Sequence, residues 1–309
     1  MKNSKSFNLF LLDGEVTGRI KCTMSNWTGL AYKVPRIYLD ECKDRQDLKQ
    51  SGVYFLFGKN DEEKEEVYIG QAGIRKNGEG VLYRVAEHLK DKEFFSEAVM
   101  LTTQNNSFGP TEISYLENKF TNLALETDRY IVRNGNDPNP GNVTEEKESE
   151  LEDFIEYSKM VLGVLGYKVF VPLVKKDKLF NDKKEENFGT DSREELELYL
   201  SRRRKRSNKL IKGKCIRTNE GYVVLKGSIV DENNATSMPE KLKEMRQMCI
   251  RNGEIVEGKT TKDYLFSSPS YAAAFLLGAS ANGRTEWKTK DGVTLKAIEE
   301  QEMEISSKY

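Results

Sequence analysis

Tyr54, Tyr68, Arg84, His88 and Glu117 follow one another along the first half of the chain, with Asn134 after them. These residue types handle phosphate and protons. An arginine fork clamps a phosphate through parallel N–H donors. An imidazole one helical turn away can hold a second phosphate oxygen or shuttle a proton. A carboxylate suits a hard cation that keeps most of its water. A phenol has a pKa near ~10 and serves as a base at neutral pH only beside cations. Cleaving a phosphodiester needs such parts: an activated nucleophile, charge stabilisation at phosphorus and help for the leaving oxygen. None of these residues is informative alone. Strands are rich in tyrosine, and a helical glutamate is explained as well by a salt bridge. His88 is the sole histidine, a type more often satisfied than catalytic, and Asn134-Gly135-Asn136-Asp137-Pro138 is an ordinary turn signal.

The elements that must position them are legible in outline. Gly52-Val53-Tyr54-Phe55-Leu56-Phe57 is an apolar β-rich run, residues 59–66 are charged and turn-like, and Val67-Tyr68-Ile69-Gly70 is a second strand. The pair reads as an antiparallel hairpin. Helical spacing over 80–90 puts Leu82, Val85 and Leu89 on one side, with Arg84 and His88 four apart on one face. Residues 98–102 predict a third strand. Residues 111–125 predict a helix with Thr111 as N-cap and Ile113, Leu116, Phe120 and Leu123 as its apolar stripe. A long helix, acidic in its first half, is predicted over 144–165, with Gly166 as C-cap and a strand over 168–174.

The ordered set G-V-Y, Y-I-G, R-x-x-x-H, helical E and then N, from Gly52 to Asn134, resembles the GIY-YIG nuclease family. The resemblance implies an α/β fold of α+β type, with a small three-stranded antiparallel sheet flanked by helices. It implies a DNA endonuclease with one Mg²⁺ (or Mn²⁺) per active site, bound by Glu117. Arg84 matches the phosphate clamp, and Tyr68 the tyrosine proposed to take the proton from the attacking water, family members differing on which tyrosine is the base. Tyr54 matches the second signature tyrosine, which orients the water or metal shell. His88 falls where the family carries histidine or tyrosine. Asn134 is the match to the closing asparagine, with Asn136 the alternative. Gln71 departs from the pattern: excision-repair members carry lysine there, so one cation that would depress the tyrosine pKa is missing.

The rest of the chain bounds these expectations. Its 309 residues suit two or three domains. Net charge is −1, so attraction to nucleic acid must come from local patches. Cys22, Cys42, Cys215 and Cys249 fit no zinc spacing and read as reduced cytosolic thiols, which points to a cytoplasmic protein. No apolar run reaches the ~18 residues of a membrane span. Residues 7–12 and 15–20 flank Asp13-Gly14 as a hairpin, an N-terminal extension over 1–50. The nuclease domain is expected over 51–174, a charged linker with one short helix over 175–213, and an α+β accessory domain over 214–309.

Within that last part, three segments resemble a domain of unknown function found at the C-terminus of bacterial GIY-YIG proteins: Gly221 to Ser228, Phe266 to Ala274 and Ala281 to Trp287. Substrate recognition is the expected role, with a protein partner as the alternative. Arg202, Arg203, Arg204, Lys205 and Arg206, followed by Lys209, Lys212 and Lys214, place eight positive charges and no negative ones over 201–214. That run is either a solvated linker or a phosphate-tracking arm on DNA. One active site per chain implies nicking, or a homodimer for a double-strand break. A catalytically silent nuclease fold that binds DNA or assembles with it is the alternative to an enzyme.

Overall fold

The computed structural model describes residues 4–75, 79–135, 138–174, 196–203 and 209–306. The chain divides into two compact units, Met1–Pro172 and Leu173–Tyr309.

The first unit is built on a seven-stranded sheet. Its strands are β1 (Phe7–Leu11), β2 (Ile20–Met24), β3 (Gly29–Pro35), β4 (Gly52–Lys59), β5 (Glu65–Ala72), β6 (Phe95–Thr103) and β7 (Ile131–Val132). Their spatial order is β1-β2-β3-β6-β4-β5-β7. All neighbours are antiparallel except β5 and β7. Three helices complete the unit: α1 (Val81–Glu87), α2 (Pro110–Thr127) and α3 (Glu145–Val164).

The expected three-stranded sheet is therefore corrected to seven. The expected trio is present as β6, β4 and β5, but β3 pairs with β6 from Gly29↔Thr103 to Pro35↔Glu97. An open β6 edge would leave a row of unpaired N–H and C=O groups, and β3 satisfies them. β1, β2 and β3 are thus part of this sheet rather than an extension beside it. The tight hairpin at Asp13-Gly14 is replaced by a wider loop, which Arg19 and Asp13 tie together through an ion pair at 2.5 Å.

Alternation along the strands separates two cores. Val53, Phe55, Phe57, Val67, Ile69, Val99 and Leu101 face α2 and α3. Tyr54, Leu56, Ala98 and Met100 face α1 and the short 3-10 turns around Leu39, Cys42 and Leu48. With both faces covered, β4 reads as a continuous apolar run instead of an alternating one. A fully buried side chain such as Phe55 contributes about 1.5–3 kcal/mol.

Thr144 caps α3, its hydroxyl accepting from the Lys147 N–H. At α2 the cap is Gly109, with Pro110 at the first helical position, where its missing N–H costs nothing. Thr111 is inside the helix. The strand expected over 168–174 is absent. Val169 and Phe170 are consecutive and both buried in the core under α2 and α3, so that segment plugs the core instead of joining a sheet.

The second unit holds β8 (Leu196–Arg203), β9 (Leu210–Thr218), β10 (Gly221–Val224), α4 (Glu240–Arg251), β11 (Ile255–Val256), β12 (Lys259–Thr260), β13 (Tyr264–Phe266), α5 (Pro269–Leu277), α6 (Gly283–Glu286) and α7 (Leu295–Ser306). Its main sheet has the order β13-β10-β9-β8, antiparallel throughout. Residues 196–200 fall in the expected linker over 175–213, which was to hold one short helix. They are a strand because Leu196, Leu198 and Leu200 alternate with period two and β9 supplies a partner. Residues 175–195 of the expected linker lie outside the described residues.

The three singled-out segments meet in this unit. Tyr222 pairs with Phe266, and the Trp287 indole N–H donates to the Pro269 carbonyl at 2.9 Å. Trp287 and Leu295 are fully buried. All four cysteines are free and buried, and burial pushes the Cys22 and Cys249 thiols up to about 11. Among the described residues, no helix is long and apolar enough to cross a membrane.

Candidate functional site

The register of β4 against β5 sets Tyr54 opposite Gly70 and Leu56 opposite Tyr68. Directly opposed residues share a face, so both tyrosines point to the α1 side. Both signature glycines have a steric reason. A Cβ on Gly70 would lie 2.4 Å from Tyr54 Cζ and its hydroxyl, so the tyrosine ring occupies the space a side chain would take. A Cβ on Gly52 would lie 2.4 Å from the Leu101 carbonyl oxygen, on the neighbouring strand. Tyr54 is 1% exposed, whereas Tyr68 is half-buried.

α1 delivers the next two residues. The Tyr54 hydroxyl lies 2.8 Å from His88 Nε2, and His88 Nδ1 lies 3.2 Å from Asp91 Oδ1. The Asp91 carboxylate can only accept, so Nδ1 carries the proton and Nε2 accepts from Tyr54. Burial pushes the His88 pKa below its ordinary value, so the ring is neutral near pH 7. The His88 ring also stands edge-on to Tyr68, with centroids 5.4 Å apart. Arg84 Nη1 donates to Glu87 Oε2 at 2.8 Å, and Arg75 binds the same oxygen at 2.8 Å. These two arginines hold the Glu87 carboxyl down at about 2. Arg84 keeps part of its fork exposed and interacts electrostatically with Tyr54, Tyr68 and Glu117.

α2 supplies Glu117, half-buried and near enough to Tyr54, Tyr68 and Arg84 to interact with each electrostatically. Burial raises its pKa, and hydrogen bonds from the Gln71 side chain and backbone oppose that shift, with a smaller contribution from Arg84. Gln71 Nε2 also donates to Ser114 Oγ at 3.0 Å. Gln71 thus helps steady Glu117, where the sequence suggested only a missing cation. Burial raises both phenols, Tyr54 well above the usual range.

Asn134 follows β7 and pairs with the edge of β5. Its Oδ1 accepts from the Ile69 N–H at 3.1 Å, and its Nδ2 donates to the Ile69 carbonyl at 2.7 Å. The amide is engaged by backbone, so Asn134 fixes the strand that carries Tyr68 instead of offering a group to the cluster. Asn136 lies outside the described residues.

Five of the six expected residues therefore gather at one end of β4 and β5, from a strand pair and two helices, and Asn134 braces the edge. Sequence reading missed Asp91 and Lys92. Asp91 orients His88, and Lys92 Nζ sits 4.1 Å from the centroid of the Tyr68 ring, in the range of a cation–π contact. Both stand three and four residues after His88, the spacing that carries a side chain one turn on, and that was the available signal.

Among the described residues, no group of three or more His, Cys, Asp or Glu could hold a metal. A site made of protein ligands alone does not fit. A hard cation held by the single Glu117 carboxylate, with water and phosphate oxygens completing its shell, does fit.

In the second unit, Arg202 and Arg203 lie on β8 and are exposed, and Arg202 pairs with Glu286 at 2.5 Å. Arg204, Lys205 and Arg206 lie outside the described residues.

No curated protein and no solved structure matches the chain. Residues 204–299 match the family described as a domain of unknown function, DUF4357. The matched segment does not reach residues 52–142, so the nuclease resemblance stands on those residues and their geometry alone.

Proposed function

We propose that the first unit is a metal-dependent endonuclease that hydrolyses a DNA phosphodiester. The observation that carries the reading is the chain Tyr54–His88–Asp91 set beside Tyr68, Arg84 and Glu117. Triads in which an acid orients a base, and the base faces a hydroxyl, activate nucleophiles in many hydrolases.

The roles follow from exposure and charge. Tyr68 is the half-exposed phenol, so it is the one a water can reach. Its raised pKa makes it a poor base alone. Neutral His88 is the group ready to take a proton, and Tyr54 hydrogen-bonds it and interacts with Tyr68. The water gives its proton to Tyr68 as Tyr68 passes its own through Tyr54 to His88 Nε2. Asp91 then stabilises the imidazolium. The exposed part of the Arg84 fork binds the scissile phosphate and offsets its growing charge. Glu117 would hold a divalent metal, which supplies Lewis-acid stabilisation of the phosphate and leaving oxygen when bound.

Incubation of the full chain with plasmid and branched DNA in Mg²⁺ or Mn²⁺ tests this, with Glu117→Ala and Tyr68→Phe alongside. Cleavage by the wild type and its loss in both variants is expected. Cleavage that survives Glu117→Ala rejects the site. DNA binding without cleavage, across metals and substrates, favours the catalytically silent alternative.

A further inference from the structure

The sheet of the second unit has one face that its own helices leave open in part. Leu198, Leu200, Ile211, Cys215 and Val224 point to the core under α5. The alternate residues point the other way. Ile216, Val223 and Leu265 form the apolar end of that second face, capped by Leu173, Val174 and Leu225. Beyond them the character changes. Tyr199 stands opposite Lys214, and Ser201 stands opposite Lys212. Residues 225–229 then run beside β9, with Leu225 N–H on the Lys214 carbonyl and Ile229 N–H on the Lys212 carbonyl. They raise a wall that carries Lys226. The result is a cleft of about 330 Å³ lined by Tyr199, Ser201, Lys212, Lys214 and Lys226 among others.

We infer that this cleft binds a single strand of nucleic acid. Charge comes first. Among the described residues, the Lys212 and Lys226 ammonium groups have no carboxylate partner and both residues are exposed, while the Lys226 backbone N–H donates to the Asp263 carboxylate at 2.7 Å. Lys214 is held by Glu197 at 2.8 Å, and the same glutamate accepts the Tyr199 hydroxyl at 2.8 Å. Glu197 therefore fixes the ring and one ammonium in place and leaves the floor net positive. Spacing comes second. Lys212 and Lys214 lie two residues apart on one strand face, roughly 6.8 Å, a spacing that matches successive phosphates of an extended strand. Shape comes third. A volume of about 330 Å³ is of the size that encloses a small ligand, and the half-exposed Tyr199 ring gives a base a surface to stack on. A cationic groove beside an aromatic platform is how proteins hold single strands without reading sequence. The choice of nucleic acid over another polyanion rests on the nuclease reading of the first unit; the cleft's charge and shape do not.

The test is fluorescence anisotropy of the full chain in EDTA, where binding is read without cleavage. Labelled DNA and RNA strands of about 15 nucleotides and a duplex of equal length are the probes. Lys212→Gln with Lys226→Gln is expected to weaken strand binding roughly tenfold at low salt. The slope of log affinity against log salt should fall by about 1.4, near 0.7 per lost phosphate contact. Tyr199→Ala is expected to weaken binding about tenfold with the slope unchanged, as loss of stacking requires. Either sugar as the tighter probe supports the inference and assigns the strand. Wild-type affinity and slope in the double lysine variant overturn it, provided the variant melts at the wild-type temperature. Equal losses on strand and duplex overturn the single-strand assignment. A chain that binds strands but cuts nothing upholds this inference and fails the nuclease reading. One that cuts but is unaffected by these substitutions does the reverse.

Discussion

The seven-stranded sheet is covered on both faces, whereas the four-stranded sheet keeps part of one face open. Polar residues behave differently in the two places. In the first, Tyr54, His88 and Glu117 are partly or wholly removed from water, and burial moves each of their pKa values. Each depends on a named neighbour, so they act as a unit. In the second, Lys212 and Lys226 are solvated and independent, and their joint effect is long-range charge. Desolvation thus separates a chemically tuned cluster from an additive field.

The sharpest way to break this contrast is additivity. Tyr68→Phe and Glu117→Gln are each expected to lower the single-turnover cleavage rate by about 10²–10⁴-fold. The double variant should lose little more than either alone, because a disabled unit cannot be disabled twice. Fully multiplicative losses would show that the cluster is not one device. The lysines of the open cleft should instead add in log affinity.

A smaller effect is expected from Gly70→Ala. Its Cβ would overlap the buried Tyr54 ring, and overpacking of this kind costs about 1–3 kcal/mol. Urea unfolding followed through a probe in the first unit measures it. An unchanged midpoint would mean that the strand pair has slack and that Tyr54 is not held where the relay needs it.

The pH dependence sharpens the same point. The folded pKa of His88 lies below its ordinary 6.5, so the unfolded chain binds more protons between the two values. Stability contributed by neutral His88 is therefore complete above about pH 6.5 and is lost as pH falls through the folded value. The melting temperature of the first unit should drop on acidification through this window, and His88→Asn should flatten that part of the profile. A slope that persists in His88→Asn would assign it to other groups.

The smallest expected change comes from Lys92→Met. Removing the ammonium over the Tyr68 ring forfeits about 0.5–1 kcal/mol, a change of roughly two- to fivefold in cleavage. The alkaline limb of the pH–rate profile should move upward, since a nearby cation favours the phenolate. No shift in that limb would make Lys92 a packing residue only.

Short-range geometry is what the sequence by itself determined. Period-two alternation put Tyr54 and Tyr68 on one face once the strands were antiparallel, and the four-residue step put Arg84 and His88 on one side of α1. Such relations are set by the backbone repeat within one helix or one hairpin. The same logic was present in Leu196, Leu198 and Leu200, but the charged composition around them obscured it. Only the tertiary structure decided the rest. Pairing of β3 with β6, and of β7 with β5, turned three strands into seven, choices made between residues some seventy positions apart in sequence, as in Gly29↔Thr103. Chain folding set Nε2 of His88 against Tyr54, brought Gln71 to Glu117, laid Lys92 over Tyr68, and used up the Asn134 amide on Ile69. Those contacts join elements that no local period relates. Burial, and with it each pKa shift, belongs to the packed whole and to no single segment.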